Sequence, residues 1–107
     1  MGRELNYKCL KAHNKNANKP TTDIHRCLMN KLCDVEISKN SEDELIATIY
    51  FYEYGNQKWW YSSHDYTSYI QTTPIITSAE HNNGDLEIET KNSYYYFVRQ
   101  KEEGVIE

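Results

Sequence analysis

Regular alternation of apolar and polar residues is the feature of this sequence that most limits its possible folds. In "DVEIS" (residues 34–38), Val35 and Ile37 alternate with polar neighbours. Residues 44–54, the longest strand candidate, divide into two faces in the same way, and turn clusters separate three further strand candidates at residues 73–80, 85–91 and 94–99. This period puts successive side chains on opposite faces of a strand, so that one face can be buried while the other meets water. Because the connections are short, we expect an antiparallel meander sheet of about five to seven strands.

The residues before this sheet favour helix. Pro20 is followed by Thr21 and Thr22, whose hydroxyls can accept hydrogen bonds from the amides of a first helical turn. Apolar residues then recur at helical spacing, at Ile24, Cys27, Leu28 and Leu32, with His25, Arg26, Asn30 and Lys31 on the outside. The pattern predicts a helix over residues 22–33. Residues 3–13 fit a helix or a strand, and we expect a helix.

Length and pattern together predict one domain over residues 1–107. We expect an N-terminal segment and polar loop at 1–21, the helix at 22–33, the antiparallel sheet at 34–99 and a tail at 100–107. The expected fold class is α+β, with an N-terminal helical part and a sheet packed on or curled around the helix.

Net charge and cysteine content indicate which partners and which cell compartment to expect. The formal net charge is −4, whereas a protein that grips phosphates needs clustered Lys and Arg. We therefore do not expect nucleic acid as a direct ligand. The sequence has no apolar run of the ~18 residues typical of a membrane span, and its N-terminus lacks the apolar stretch of a signal peptide. Three cysteines, an odd number, are typical of reduced thiols in a cytoplasm.

The stretch "IYFYEYGNQKWWYSS" (residues 49–63) carries seven aromatic rings. Gly55-Asn56 suits a two-residue hairpin turn, which would pair Tyr52 with Trp59, Phe51 with Trp60 and Tyr50 with Tyr61. Ile49, Phe51 and Trp60 would then face the core. The opposite face would present five rings, from Tyr50, Tyr52, Tyr54, Trp59 and Tyr61. That face is either a second layer covered by the N-terminal segment or the last hairpin, or an exposed protein-binding site, which we predict.

Other reactive side chains do not form a recognisable catalytic or metal motif. "SSHD" (residues 62–65) has the residue types of a hydrolase triad, but adjacent residues diverge, and a polar turn is expected. Five soft ligands occur without the paired C-x2-C spacing of a zinc site, at Cys9, His13, His25, Cys27 and Cys33. We expect free thiols, with Cys27 on the apolar helix face, and neither a cofactor nor a catalytic residue.

The last two strands are expected to form a hairpin around Asn92-Ser93. Thr90 would face Tyr95 and Ile88 would face Phe97 on the inner side. Glu89 would face Tyr96 and Lys91 would face Tyr94 on the outer side. "HNNG" (residues 81–84) is predicted to be the turn before this hairpin.

The last strands of the sequence resemble segments of known proteins, which indicates an origin for this protein. "TTPII" (residues 72–76) followed by "LEIETKNSYYYF" (residues 86–97) resembles the closing hairpins of small phage and mobile-element proteins, with a T-x-N-S-x-Y core. The resemblance implies the cytoplasm of a bacterial host cell and brings no catalytic residues. We expect a non-enzymatic protein-interaction module, monomeric or weakly dimeric, that inhibits a host defence protein such as a nuclease, as anti-CRISPR proteins do. The alternatives are a small metal- or His-dependent enzyme and a single-stranded nucleic-acid binder that uses the aromatic face.

Overall fold

The computed structural model describes residues 5–15, 23–52 and 67–100. Within these ranges the chain forms seven antiparallel strands in one sheet, together with one short helix. The elements are, in chain order, β1 (Tyr7–Asn14), α1 (Asp23–Leu28), β2 (Leu32–Lys39), β3 (Leu45–Phe51), β4 (Ser68–Gln71), β5 (Ile75–Glu80), β6 (Leu86–Thr90) and β7 (Ser93–Arg99).

The predicted α+β class with an N-terminal helical part is wrong, because the described chain is almost entirely sheet. A helix was expected over residues 3–13, but Tyr7–Asn14 form β1 and pair along their length with β7. The helix predicted over residues 22–33 has only six residues. Asn30 adopts a positive φ of 65°, and the amide of Lys31 donates to the carbonyl oxygen of Leu28 at 3.0 Å. This left-handed residue ends the helix, and the chain enters β2 at Leu32.

The strand order, β4-β3-β2-β1-β7-β6-β5, joins two meanders through β1 and β7. In a flat sheet, six strand spacings would separate β4 from β5 by about 29 Å. Only four peptide steps lead from Gln71 to Ile75, and these span at most about 15 Å. The sheet therefore curls until its two outermost described strands approach each other. The connection between β4 and β5 contacts both meanders. The Thr72 amide donates to the Ala47 carbonyl oxygen of β3 at 2.9 Å, and the Thr73 hydroxyl donates to the Thr90 hydroxyl of β6 at 2.9 Å.

The concave side of the curled sheet encloses the core. Ile49 and Phe51 of β3 are buried, as predicted for the inner face of that strand. Leu28 closes the core from the helix and belongs to a cluster of ten buried residues: Cys9, Ala12, Leu28, Cys33, Ala47, Ile49, Phe51, Ile88, Tyr95 and Phe97. Removal of this apolar area from water is the main stabilising contribution to such a fold.

The three cysteines are free thiols with two different environments. Burial raises the pKa of the Cys9 thiol to about 12 and raises that of Cys33 well above its usual range. Both therefore stay protonated and behave as small apolar side chains. Cys27 is exposed, so its predicted place on the apolar helix face is wrong. The short helix turns His25 and Leu28, three residues apart, toward the core instead.

The turn at residues 81–84 is confirmed, but the register of the last hairpin differs from the prediction. Glu89 pairs with Tyr94, Ile88 with Tyr95 and Glu87 with Tyr96, so every predicted pair is displaced by two residues. The two-residue turn is Lys91-Asn92, because the Ser93 amide donates to the Thr90 hydroxyl at 3.0 Å and closes the turn one residue early. A two-residue displacement keeps every side chain on its predicted face.

Candidate functional site

The structure describes two of the five aromatic residues predicted as a protein-binding site, Tyr50 and Tyr52. The other three, Tyr54, Trp59 and Tyr61, lie outside the described residues, as do the Gly55-Asn56 turn and "SSHD". Within β3, Tyr50 pairs with Tyr69 and Phe51 pairs with Ser68 on the β4 side. Asp34 and Cys33 of β2 occupy the other side of these two residues. The predicted pairing of Tyr50 with Tyr61 and of Phe51 with Trp60 is therefore replaced.

Tyr50 and Tyr52 are half-buried, because the N-terminal segment covers part of their face. Leu5 and Leu32 are buried and pack against both rings. The Tyr50 hydroxyl donates to Glu36 Oε1 at 3.1 Å, and its ring centroid lies 5.9 Å from that of Tyr69. Tyr69 itself is 59% exposed. The described part of the predicted site, Tyr50 and Tyr52, is thus partly covered, and the exposed ring of Tyr69 lies beside it.

A second group of aromatic side chains lies on the outer face of β1, β7 and β6. Two rows of residues cross the three strands. Lys11, Tyr96 and Glu87 form one row, and His13, Tyr94 and Glu89 form the other. The rows run from a basic strand through an aromatic strand to an acidic strand. These six residues, with Lys15, His81 and Asp85 at the margins, are called the striped face below.

Hydrogen bonds hold the tips of both tyrosines on the striped face. The Tyr94 hydroxyl donates to Glu87 Oε2 at 2.6 Å, and the Tyr96 hydroxyl donates to Asp85 Oδ2 at 3.1 Å. His81 stacks on Tyr96 with a centroid distance of 5.8 Å and places Nε2 3.1 Å from Glu87 Oε1. These contacts connect the β5–β6 turn with the middle of the sheet.

Two further contacts fix the basic strand of the striped face. The ring of His13 lies 5.4 Å from that of Tyr94. Lys15 Nζ lies 2.5 Å from Glu89 Oε2. The first contact ties the basic strand to the ring of Tyr94, and the second ties it to the acidic strand.

The charge states of the striped face follow from these bonds. The hydrogen bond from Tyr94, followed by that from His81, lowers the pKa of Glu87. The Arg99 amide, which donates to Asp85 Oδ1 at 3.0 Å, is the main cause of the lowered pKa of Asp85. Burial, followed by the contact with Glu87, raises the pKa of Tyr94 to about 12. At neutral pH the carboxylates are ionised and the tyrosines protonated, so this arrangement presents fixed donors and acceptors.

A separate polar site lies on the inner side of the sheet, around His25. His25 is 4% exposed, and its Nε2 lies 3.2 Å from Ser93 Oγ and 3.4 Å from the Tyr95 hydroxyl. Burial, followed by repulsion from His13, lowers the pKa of His25, so the imidazole is neutral at pH 7. The three side chains line an open pocket of about 250 Å³, called the His25 pocket below.

Sequence reasoning missed both sites for different reasons. His25 was placed on the solvent side of a long helix, and its spacing from Leu28 is the one signal that could have turned it inward. Glu89, Tyr94 and Tyr96 were correctly predicted on an outer face of the last hairpin. Their neighbours on the basic strand come from the other end of the chain, which no local pattern reveals.

Among the described residues, no group of three or more His, Cys, Asp or Glu side chains is arranged to hold a metal ion. The helix in the described part of the chain is too short and too polar to cross a membrane. No protein-family model, curated protein sequence or solved structure matches the chain.

Proposed function

We propose that this protein is a non-enzymatic interaction module that binds a basic surface of a partner protein through the striped face. The partner would be a host protein, such as a defence nuclease, which a phage or mobile-element inhibitor blocks. One observation carries the proposal: Tyr94 and Tyr96 lie side by side on an outer sheet face, with each hydroxyl bonded to a carboxylate.

Rigid tyrosines suit protein recognition. A ring that is already fixed loses little conformational entropy on binding, and a tyrosine supplies a large contact area with few rotatable bonds. Arginine would complement both parts of this face, because a guanidinium can stack on an aromatic ring and pair with a carboxylate. Tyr94, Tyr96 and Glu87 offer this combination within one contiguous patch.

The order of charges across the face would orient the partner. Lys11 and Lys15 lie on the β1 side, whereas Glu87 and Glu89 lie on the β6 side. Basic groups of a partner would be attracted to β6 and repelled from β1, so one docking direction is favoured. Salt would weaken the association, since exposed charges are screened over about 8–10 Å at physiological ionic strength.

The proposal is tested with a partner recovered from the host cell on immobilised protein and then purified. Calorimetry would compare the wild type with Tyr94→Ala and with the matched control Tyr69→Ala, an exposed tyrosine on another part of the sheet. We expect Tyr94→Ala to weaken binding about 30-fold, equivalent to about 2 kcal/mol, as hot-spot residues do. The control should bind like the wild type.

Thermal unfolding of each variant would confirm that it remains folded at the assay temperature. If Tyr69→Ala or Tyr52→Ala abolishes binding while Tyr94→Ala does not, the partner binds either the aromatic site that the sequence predicts around Tyr50 and Tyr52 or the exposed Tyr69 beside it. The striped face would then have no part in recognition.

A further inference from the structure

The His25 pocket opens on the inner side of the sheet, whereas the striped face lies on the outer side. Its described lining consists of hydroxyl, amide, aromatic and aliphatic groups around the imidazole, and none of these described residues is acidic or basic apart from His25. The polar lining includes Gln71, Thr72, Thr73, Asn92, Ser93 and Tyr95. In a chain with 26% charged residues, the described lining offers no ionised group to pair with a charged ligand.

Hydrogen bonds within the protein orient the hydroxyls of this lining. The Thr72 hydroxyl donates to the Thr73 carbonyl oxygen at 2.8 Å, and the Thr73 hydroxyl donates to that of Thr90 at 2.9 Å. The Thr90 hydroxyl in turn donates to the Ser93 carbonyl oxygen at 3.3 Å. The Thr90 oxygen accepts from the Thr73 hydroxyl and from the Ser93 amide, so both of its lone pairs are used. The Thr72 oxygen accepts from the Ala47 amide at 3.0 Å and keeps one lone pair. The pocket lining therefore presents oriented acceptors at the Thr72 and Thr73 oxygens.

The centre of the pocket retains hydrogen-bonding capacity of its own. Ser93 and Tyr95 both direct their hydroxyls at the same ring nitrogen of His25. A neutral imidazole nitrogen has one lone pair or one proton and pairs with one of the two hydroxyls at a time, while the Ser93 and Tyr95 side chains also hydrogen-bond each other. Ser93 is 7% exposed and Tyr95 is 4% exposed, so bulk water contributes little here. Lone pairs on the two hydroxyl oxygens are then left to accept from a polar molecule in the pocket.

We infer that the His25 pocket binds a small neutral polyhydroxy compound of monosaccharide size, either a free sugar or the ribose of a nucleoside. Alcohol groups donate to the oxygen acceptors of the lining and accept from the side-chain amides of Gln71 and Asn92. A charged ligand would lose its hydration without gaining a counter-charge, which is unfavourable. The volume of about 250 Å³ is close to the lower end of the range for small-molecule pockets and fits one sugar ring.

The test is a titration of the full-length, ¹⁵N-labelled protein, followed by amide chemical shifts. The neutral probes are D-ribose, D-glucose and uridine, and the charged analogues are D-glucuronate and D-glucosamine. We expect saturable shifts of the Thr73, Ser93 and Tyr95 amides with at least one neutral probe. Affinities for the charged analogues should be at least about tenfold weaker, the effect of one unfavourable polar contact. If uridine binds and free D-ribose does not, the ligand is a nucleoside. If the free sugars bind, the ligand is a saccharide.

Variants of exposed lining residues separate binding from folding. Gln71→Ala and Asn92→Ala each remove one amide from the pocket and should weaken binding about tenfold. Asn82→Ala makes the same chemical change in the exposed β5–β6 turn and should leave affinity unchanged. The inference is overturned if no neutral probe gives saturable shifts, if a charged analogue binds as tightly, or if Asn82→Ala weakens binding as much as Asn92→Ala. None of these outcomes depends on whether a partner protein binds the striped face.

Discussion

His25 and Asp85 are polar residues with little exposure, and acid should affect their contributions to stability over different pH ranges. Burial lowers the pKa of His25, so the unfolded state, with a His pKa of about 6.5, takes up a proton more readily than the folded state. The contribution of His25 is therefore complete above about pH 6.5 and is lost as the pH falls below it. The lowered pKa of Asp85 gives a separate loss that begins near the unfolded Asp value of about 3.9.

Urea unfolding between about pH 4.5 and 8 would measure the first of these losses, in the range set by the His value. The wild type should lose stability from about pH 6.5 downward. His25→Gln cannot take up the proton and should flatten this region of the curve, whatever its stability at pH 8. An unchanged slope in His25→Gln would show that another group controls it.

Two aromatic residues in neighbouring strands should differ in their contribution to the free energy of unfolding. Phe51 is 5% exposed and packs in the core, so Phe51→Ala should lower this free energy by about 3–5 kcal/mol. Tyr69, 59% exposed, has little burial to lose, and Tyr69→Ala should cost less than about 1 kcal/mol. Equilibrium denaturation of both variants gives the comparison. Similar costs would mean that Tyr69 is buried in solution.

At the scale of the element, the β5–β6 turn depends on one glycine. Gly84 has a φ of 92°, and its amide donates to the His81 carbonyl oxygen at 2.9 Å. A Cβ at this position would lie 3.3 Å from both Cβ and Cγ of Arg99. Gly84→Ala should therefore lower the free energy of unfolding by about 1–2 kcal/mol, the cost of a left-handed conformation for a side-chain-bearing residue.

Chemical denaturation of Gly84→Ala should be compared with that of Asn82→Ala, an exposed residue of the same turn. The control should change the free energy of unfolding by less than about 0.5 kcal/mol. A neutral Gly84→Ala variant would show that the turn adopts another conformation in solution.

At the scale of the whole molecule, the ladder between β1 and β7 holds the two meanders together. It pairs residues 7–14 with residues 93–99, so its hydrogen bonds break only when the halves of the sheet separate. β4 and β5 lie at the two outer positions of the described strand order and can open locally. Native-state hydrogen exchange should therefore be slowest in β1 and β7 and fastest in β4 and β5. Equal protection of β5 and β7 would contradict this arrangement.

Sequence periodicity was sufficient to predict most strands and the faces of their side chains. The period of two assigned Ile49, Phe51 and Ile88 to the core, where the structure places them. Local turn chemistry likewise located the turn around Gly84. These features are predictable because strand pleating and left-handed turns depend on residues only a few positions apart. The pattern of the last hairpin fixed its faces but not its register, since displacement by two residues leaves every face unchanged.

Tertiary structure alone decided the conformation of residues 7–14, the length of the helix and the two candidate sites. The sequence around Cys9 fits either period, and pairing with β7 selects the strand because backbone groups must find hydrogen-bond partners. The same pairing brings Lys11 and His13 beside Tyr94 and Tyr96, more than eighty positions away, and so creates the striped face. His25 is buried because curling of the sheet places Ser93 and Tyr95 over the short helix. Contacts between such distant residues leave no periodic signal in the sequence.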